Sequence, residues 1–348
     1  MTEQPLETGS GIAVLADDLS GAAEVAGVFL GRDVPLFLQL NDFQPSPGVT
    51  VIDLNTRAMA PQKAAQTIRA ALADIPADIH VVKKIDSLLR GHIGTEVAVL
   101  AERGLVIMTA ALPGLGRTPS VHDVAQLFAD RPLAAGRLEI HDAATDADLD
   151  EIVRAAPPGA QLVGTSALAA AVARTLPLAH QKIDVRPPAK AVLTVVGTAA
   201  PVAAGQVDAL IVDGAHAVTV DARALLHDKA DPEPVQRALD HGSAVVTIGG
   251  IVNPAETQAV SIALGEFIAA AERQHHPDLI VTGGETARAV VDAIDINTLQ
   301  PVHEIHHGAV VSVASDGRRV VTRPGSFGAI DSLVTIVRYL TQRSEDNS

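Results

Sequence analysis

Two aspartates, Asp17 and Asp18, stand in the run ADDLSG at 16–21. The preceding GIAVLAD (11–17) reads as a buried strand and GAAEVAGVFLGR (21–32) as the helix after it. Both carboxylates therefore fall where a strand hands over to a helix. Ligands of open α/β sheets bind outside the carboxyl ends of strands. A carboxylate placed there can take a proton from a hydroxyl or hold a metal ion. Asp18 or Ser20 could instead cap the helix, but capping needs only one side chain.

A second cluster, KKIDSLLRGHIG (83–94), also ends a strand and opens a helix. Lys83, Lys84, Asp86 and Arg90 fall within eight positions. Adjacent lysines on a strand point to opposite faces, and Lys84 shares parity with Asp86. Arg90 offers a planar fork suited to a carboxylate or phosphate. Gly91 and Gly94 allow close backbone approach. The alternative is a solvated salt-bridge network. Arg117 lies among turn formers in PGLGRTPS (113–120), a weaker signal by itself.

Three further turns could receive phosphate. VVGTAAPVAAGQ (195–206) is a strand, a glycine turn and a helix, and helix N-termini bind anions. VTGGETARAV (281–290) adds Glu285 and Thr286 to the Gly283–Gly284 turn, and Glu285 could hold Mg²⁺ through water. TRPGSFGAID (322–331) brackets Ser326 between Gly325 and Gly328, with Arg323 close by. Each could also be an ordinary strand-to-helix turn. Neither a GxxxxGK[ST] loop nor a strand-linked GxGxxG occurs. His306 and His307 lack a metal-ligand spacing such as HExxH.

The elements that must position these residues alternate along the chain. Strands are expected at 34–40, 50–55, 80–86, 105–110 and 161–166, with helices at 61–75, 92–104 and 167–176. The stretch 112–145 reads as a loop-rich insertion with a short hairpin, and 176–190 as a linker stopped by Pro187–Pro188. Strands recur at 191–197, 244–250, 278–284, 309–315 and 318–324, with helices at 254–273, 285–294 and about 330–342. The expected fold is two α/β domains with largely parallel sheets flanked by helices, divided as 1–186 and 187–348.

The 348 residues are 47% hydrophobic but only 2% aromatic, so the cores must be aliphatic. A formal charge of −15 and the lack of aromatic platforms argue against nucleic acid as a partner. No cysteine is present, which removes disulfides, zinc-thiolate sites and cysteine nucleophiles together. No apolar stretch is long enough to span a membrane, and the polar N-terminus carries no signal segment, so a cytoplasmic protein is expected. A homodimer is one assembly the sequence permits.

Taken in order, these motifs resemble the four-carbon acid sugar kinase family. The segments are ADDLSG, KKIDSLLRGHIG, GRTPS, HDAATDADL (141–149), VVGTAA, TGGETA and RPGSFG, and they span nearly the whole chain. The resemblance implies an N-terminal sugar-acid domain, a C-terminal nucleotide domain, and phosphorylation of threonate, erythronate, a 3-oxo-tetronate or a related acid by ATP with Mg²⁺. It implies that Asp17, Asp18, Asp86, Ser87, Arg90 and Gly91 face the acid; the charge pattern adds Lys84 and Arg117 as binding candidates and leaves Asp17 or Asp86 as the base. Thr198, Gly283, Gly284, Glu285, Thr286, Gly325, Ser326 and Gly328 would face ATP. The chain departs from the family pattern at Thr198-Ala-Ala, Arg323, Leu88 and Pro119. A weakened member acting as a sugar-acid sensor is therefore an alternative. A dehydrogenase is disfavoured by the missing dinucleotide fingerprint.

Overall fold

A computed structural model describes residues 11–40, 44, 48–130, 133–179, 187–325 and 327–341. The chain divides into two compact units, Met1–Gln181 and Lys182–Ser348.

The N-terminal unit is built from strands β1 (Ile12–Ala16), β2 (Leu36–Leu40), β3 (Val49–Asp53), β4 (His80–Lys84), β5 (Val106–Thr109), β6 (Leu138–Ile140) and β7 (Gln161–Gly164). They lie in the order β6-β5-β7-β4-β1-β3-β2, and every pairing is parallel. Helices α1 (Leu19–Val28), α2 (Pro61–Asp74), α3 (Ile93–Arg103), α4 (Val121–Ala125), α5 (Asp146–Ala155) and α6 (Ser166–Arg174) connect them. Every position of β1 is buried, as a central parallel strand covered on both faces requires. Ala13, Leu15, Ile68, Val97 and Leu100 pack into one aliphatic core under α2 and α3. The pair α1 and α6 packs together as well. The chain leaves β1 toward β2 and β3 on one side, then crosses to β4 on the other. The sheet order therefore reverses at β1, and the loops after β3, β1 and β4 become neighbours.

The insertion at 112–145 is more ordered than the sequence suggests. Leu112 and Arg117 form an isolated antiparallel bridge, the only trace of a hairpin among the described residues there. One 3₁₀ turn lies within that bridge at Pro113–Leu115, α4 and a second 3₁₀ turn follow it, and β6 adds to β5 in parallel.

The C-terminal unit contains β8 (Val192–Val196), β9 (His216–Asp221), β10 (Ser243–Gly249), β11 (Asp278–Thr282), β12 (Thr298–His306), β13 (Ala309–Ala314) and β14 (Arg319–Arg323). Its order is β12-β13-β14-β11-β8-β10-β9. The pairings from β14 to β9 are parallel, while β12–β13 and β13–β14 are antiparallel. Helices α7 (Pro201–Val212), α8 (Ala222–Leu226), α9 (Glu233–Asp240), α10 (Thr257–Glu272), α11 (Gly284–Ala293) and α12 (Ser332–Thr341) complete it. The pairs α7–α12 and α10–α11 pack together. Val196, Val207, Ile280, Val321, Leu333 and Ile336 share one core. The ends of β8, β11 and β14 are adjacent, so the three glycine turns of this half meet at one edge.

Leu100 is completely buried in the core beneath α3. Leu100→Ala should cost about 2–5 kcal/mol through lost burial and the cavity left behind. Urea denaturation checks this: a lower midpoint with an unchanged slope is expected.

Candidate functional site

At the carboxyl end of β1, Asp17 leaves the strand and Asp18 becomes the N-cap of α1. Asp18 Oδ1 accepts the Gly21 amide at 2.9 Å, so the helix cap and one of the two strand-end carboxylates are the same residue. After β3, Asn55 adopts φ +49° and turns the chain so that Arg57 comes back over β1. The Arg57 amide donates to the Asp17 carbonyl at 3.1 Å. Its guanidinium then grips Asp17 with two parallel bonds, Nε to Oδ2 at 2.8 Å and Nη2 to Oδ1 at 2.9 Å. The remaining nitrogen, Nη1, donates to Asp18 Oδ2 at 2.5 Å. Nη2 also lies 3.7 Å from Asp86 Oδ1. One arginine thus connects three carboxylates borne on the ends of neighbouring strands.

β4 ends at Lys84, so Asp86 lies in the turn beyond it, where strand parity no longer applies. Asp86 organises that turn. Its Oδ2 accepts the amides of Leu88 and Arg90 and the Arg90 Nε, while Oδ1 accepts Arg90 Nη2 at 2.7 Å. Leu89 is held at φ +59°, an unfavourable conformation for a leucine that the Asp86 bonds enforce. Gly91, at φ +90°, follows, and a Cβ there would sit 3.3 Å from Asp17 Oδ2. Glycine keeps this turn against the carboxylates. Arg117 reaches in from the insertion and donates to Ser87 Oγ at 2.6 Å. The structure thus brings Asp17, Asp18, Asp86, Ser87, Arg90, Gly91 and Arg117 into one cluster.

The two lysines of β4 do point to opposite faces, and both are buried. Lys84 Nζ lies 3.4 Å from Glu24 of α1, which also accepts Ser166 Oγ at 2.7 Å. Lys83 pairs with Glu96 of α3 at 3.0 Å.

These contacts push the carboxylates apart in acidity. Burial raises the Asp17 pKa, but the charges of Lys83, Arg57 and Lys84 outweigh it and hold Asp17 below the ordinary value. For Asp18, burial and the neighbouring Asp17 charge win over Arg57, so its pKa is raised. Asp86 is lowered to about 2: burial opposes ionisation, and the Arg90 hydrogen bonds and the Arg57 charge overcome it. Burial also opposes the charge on Arg57, yet Asp18 and Asp17 hold it protonated above its ordinary value.

In the C-terminal unit, Thr198 follows β8, and its Oγ1 accepts the Ala200 amide at 3.2 Å. A Cβ on Gly325 would fall 2.5 Å from Thr198 Oγ1, and one on Gly197 would overlap Thr286. Gly283, the N-cap of α11 at φ +91°, lies beside Thr198, and its amide donates to the Arg323 carbonyl at 3.0 Å. Thr198, Gly283, Thr286 and Gly325 are therefore in one packed arrangement, where the N-termini of α7 and α11 start. Gly284 begins α11, and Glu285 is exposed in its first turn. Gly328, at φ +85°, stands apart from Thr198 and against Ser332. Ser326 lies outside the described residues.

Arg323 does not present its charge at this edge. It is 1% exposed, and its Nη2 donates inward to Gln206 Oε1 at 2.9 Å and to the Phe327 carbonyl. Gln206 in turn donates to the carbonyls of Phe327, Gly328 and Ala329. Burial lowers the Arg323 pKa to about 10. His306, on β12, is bound to Ser332 at 2.8 Å. Among the described residues no group of three or more His, Cys, Asp or Glu is arranged to hold a metal ion.

Arg57, Glu24, Glu96 and Gln206 had no motif to announce them. For Arg57 the available signal was position: it follows a buried strand in DLNTR, with Asn55 as a turn former.

Residues 12–135 match a sugar-binding N-terminal domain, and residues 193–333 a nucleotide-binding C-terminal domain. The chain belongs to the four-carbon acid sugar kinase family. It is 28% identical to the D-threonate kinase of Cupriavidus necator, over 91% of this chain and 94% of the relative. It is also 28% identical to the D-erythronate kinase of Heliobacterium modesticaldum, over 95% and 97% respectively. A solved protein of Salmonella typhimurium LT2 shares the fold with a TM-score of 0.73 and 20% identity, covering 95% of this chain and 99% of that one. A Haemophilus influenzae protein does so with a TM-score of 0.70 and 17% identity, covering 95% and 100%. No described helix is long and apolar enough to cross a membrane.

Because the Asp86 pKa is lowered on folding, the ionised carboxylate stabilises the fold above its unfolded value of 3.8. That contribution is lost as pH falls through about 2. Its size is about 1–2 kcal/mol, reduced by the exposure of the Arg90 partner. Asp86→Asn should flatten the acid loss of stability between these pH values, measured by denaturant titration at each pH.

Proposed function

We propose that the protein transfers the γ-phosphoryl group of ATP to a hydroxyl of a four-carbon sugar acid such as threonate or erythronate. The observation that carries this reading is the Arg57 clamp on Asp17, Asp18 and Asp86, at the reversal point of a parallel sheet. Such a site offers hydrogen-bond acceptors for several hydroxyls. Exposed Arg90 and half-buried Arg117 supply cations for the acid's carboxylate. Lys84 adds a buried positive charge toward Asp18. The relatives' names supply the substrate class, and the nucleotide-binding match supplies the donor.

Phosphoryl transfer asks mainly for placement and charge neutralisation. In this reading the glycine turns at 197–198, 283–286 and 325 hold the triphosphate, with the amides of α7 and α11 facing its charge. Mg²⁺ would be held chiefly by the phosphates, with the exposed Glu285 in the first turn of α11 available to it through water.

Capacity excludes Asp86 as the base, and acidity chooses between the other two. A carboxylate has about four lone-pair sites, and the Leu88 and Arg90 donors fill those of Asp86. Asp86 is therefore an anchor of the turn. Asp17 is held acidic, whereas Asp18 has the raised proton affinity suited to accepting the hydroxyl proton. Asp18→Asn should lower kcat by about 10²-fold or more, while Asp86→Asn should act mainly on the KM for the sugar acid. Steady-state kinetics separates the two.

The direct test is ADP release with D-threonate, D-erythronate and related acids. Turnover on at least one is expected. A flat response to the whole panel, with no ATP bound at millimolar concentration by calorimetry, would sink the kinase reading in favour of a sugar-acid sensor.

A further inference from the structure

Beneath the carboxylate cluster lies a second charge pair, whose lysine helps to hold Asp17 acidic but whose ion pair and hydrogen bonds go to partners other than the three carboxylates. Lys83 is 0% and Glu96 1% exposed, and they meet at 3.0 Å. Taking two charges out of water costs several kcal/mol per ion unless the geometry is good and further hydrogen bonds are made. Both conditions hold. Glu96 Oε1 accepts the hydroxyl of Thr56, and Lys83 Nζ donates to the Lys84 carbonyl at 2.8 Å. Thr56 is itself fully buried and immediately precedes Arg57. Lys84 is the last residue of β4, one residue short of the turn that Asp86 organises. Helix α3 therefore grips, through one ion pair, the two backbone segments that launch Arg57 and Asp86.

Stability alone does not require charges here, since well-packed apolar residues of similar volume often serve as well or better. What the pair provides is direction. An apolar contact lets a backbone slide by tenths of an ångström, whereas a hydrogen bond to a charged group fixes donor and acceptor. We propose that Thr56, Lys83 and Glu96 form a positioning relay that sets Arg57 and Asp86 for the sugar acid without touching it. This rests on the reading of the N-terminal unit as the sugar-acid site.

Three variants test it. Thr56→Val removes the hydroxyl and keeps the shape. Thr56→Ser keeps the hydroxyl. Lys83→Met with Glu96→Leu removes both charges together and leaves neither one buried alone. Thr56→Val and the double variant should raise the KM for the sugar acid about tenfold, the loss expected for a hydrogen bond to a charged group. The KM for ATP should stay unchanged, and Thr56→Ser should behave as wild type. A wild-type sugar-acid KM in Thr56→Val, or an equal rise of both KM values, overturns the relay. Amide hydrogen exchange of segments 54–57 and 85–90 provides a substrate-free readout. Exchange should quicken about tenfold in Thr56→Val and not in Thr56→Ser. If wild type turns over no sugar acid yet shows this exchange pattern, the functional reading fails and the relay stands. Unchanged exchange in Thr56→Val overturns the relay whatever the activity.

Discussion

The N-terminal site depends on one guanidinium. Without Arg57, Asp17, Asp18 and Asp86 would converge as three like charges in a largely buried space, and at least one would have to take up a proton. The planar fork meets Asp17 with two bonds and still has a donor for Asp18, which an ammonium could not do from one position. The clamp also makes the carboxylates unequal. Asp17 is gripped and acidic, Asp86 is saturated by its own turn, and Asp18 keeps the higher proton affinity. A site with graded carboxylates can hold several hydroxyls and accept a proton from one of them.

Topology makes the clamp possible. Arg57 and Asp17 are far apart in sequence and meet because β3 and β4 flank β1, which places three strand ends side by side. The C-terminal unit repeats the device with β8, β11 and β14. There the ends carry glycines packed so closely against Thr198 and Thr286 that a further side chain has no room, leaving backbone amides and threonine hydroxyls as the donors. The difference in function follows from what stands at the strand ends: charged side chains in one unit, bare backbone in the other.

Much of this was legible in the sequence. The Val- and Ile-rich runs of β1, β4, β8 and β11 announced themselves, because a strand buried on both faces needs an unbroken apolar run. The aspartate pair, the 83–94 turn and the glycine turns were visible for the same reason: they interrupt such runs. What escaped had no local signature. β12 contains Pro301 and the polar HEIH run, and it pairs with β13 through register shifts that the sequence does not foretell. β9 is largely exposed, so no apolar run marks it as a strand. Arg57 lies in no motif, and its role exists only once β3 is set beside β1. Strand parity correctly sent Lys83 and Lys84 to opposite faces, but it did not carry to Asp86, which lies past the end of the strand. Arg323 reads as a cation for the nucleotide turn. Its burial and its bonds to Gln206 and the Phe327 carbonyl make it instead a brace for the backbone at 327–329.

The most direct test of the account is ³¹P NMR of the protein with ATP, Mg²⁺ and D-threonate or D-erythronate, run for wild type and for Arg57→Lys. The account predicts that wild type converts the γ-phosphate resonance into a phosphomonoester on the sugar acid. It also predicts that Arg57→Lys, which keeps the charge but not the fork, does so at least about 10²-fold more slowly. A variant that transfers phosphate at the wild-type rate would contradict the central place given to Arg57.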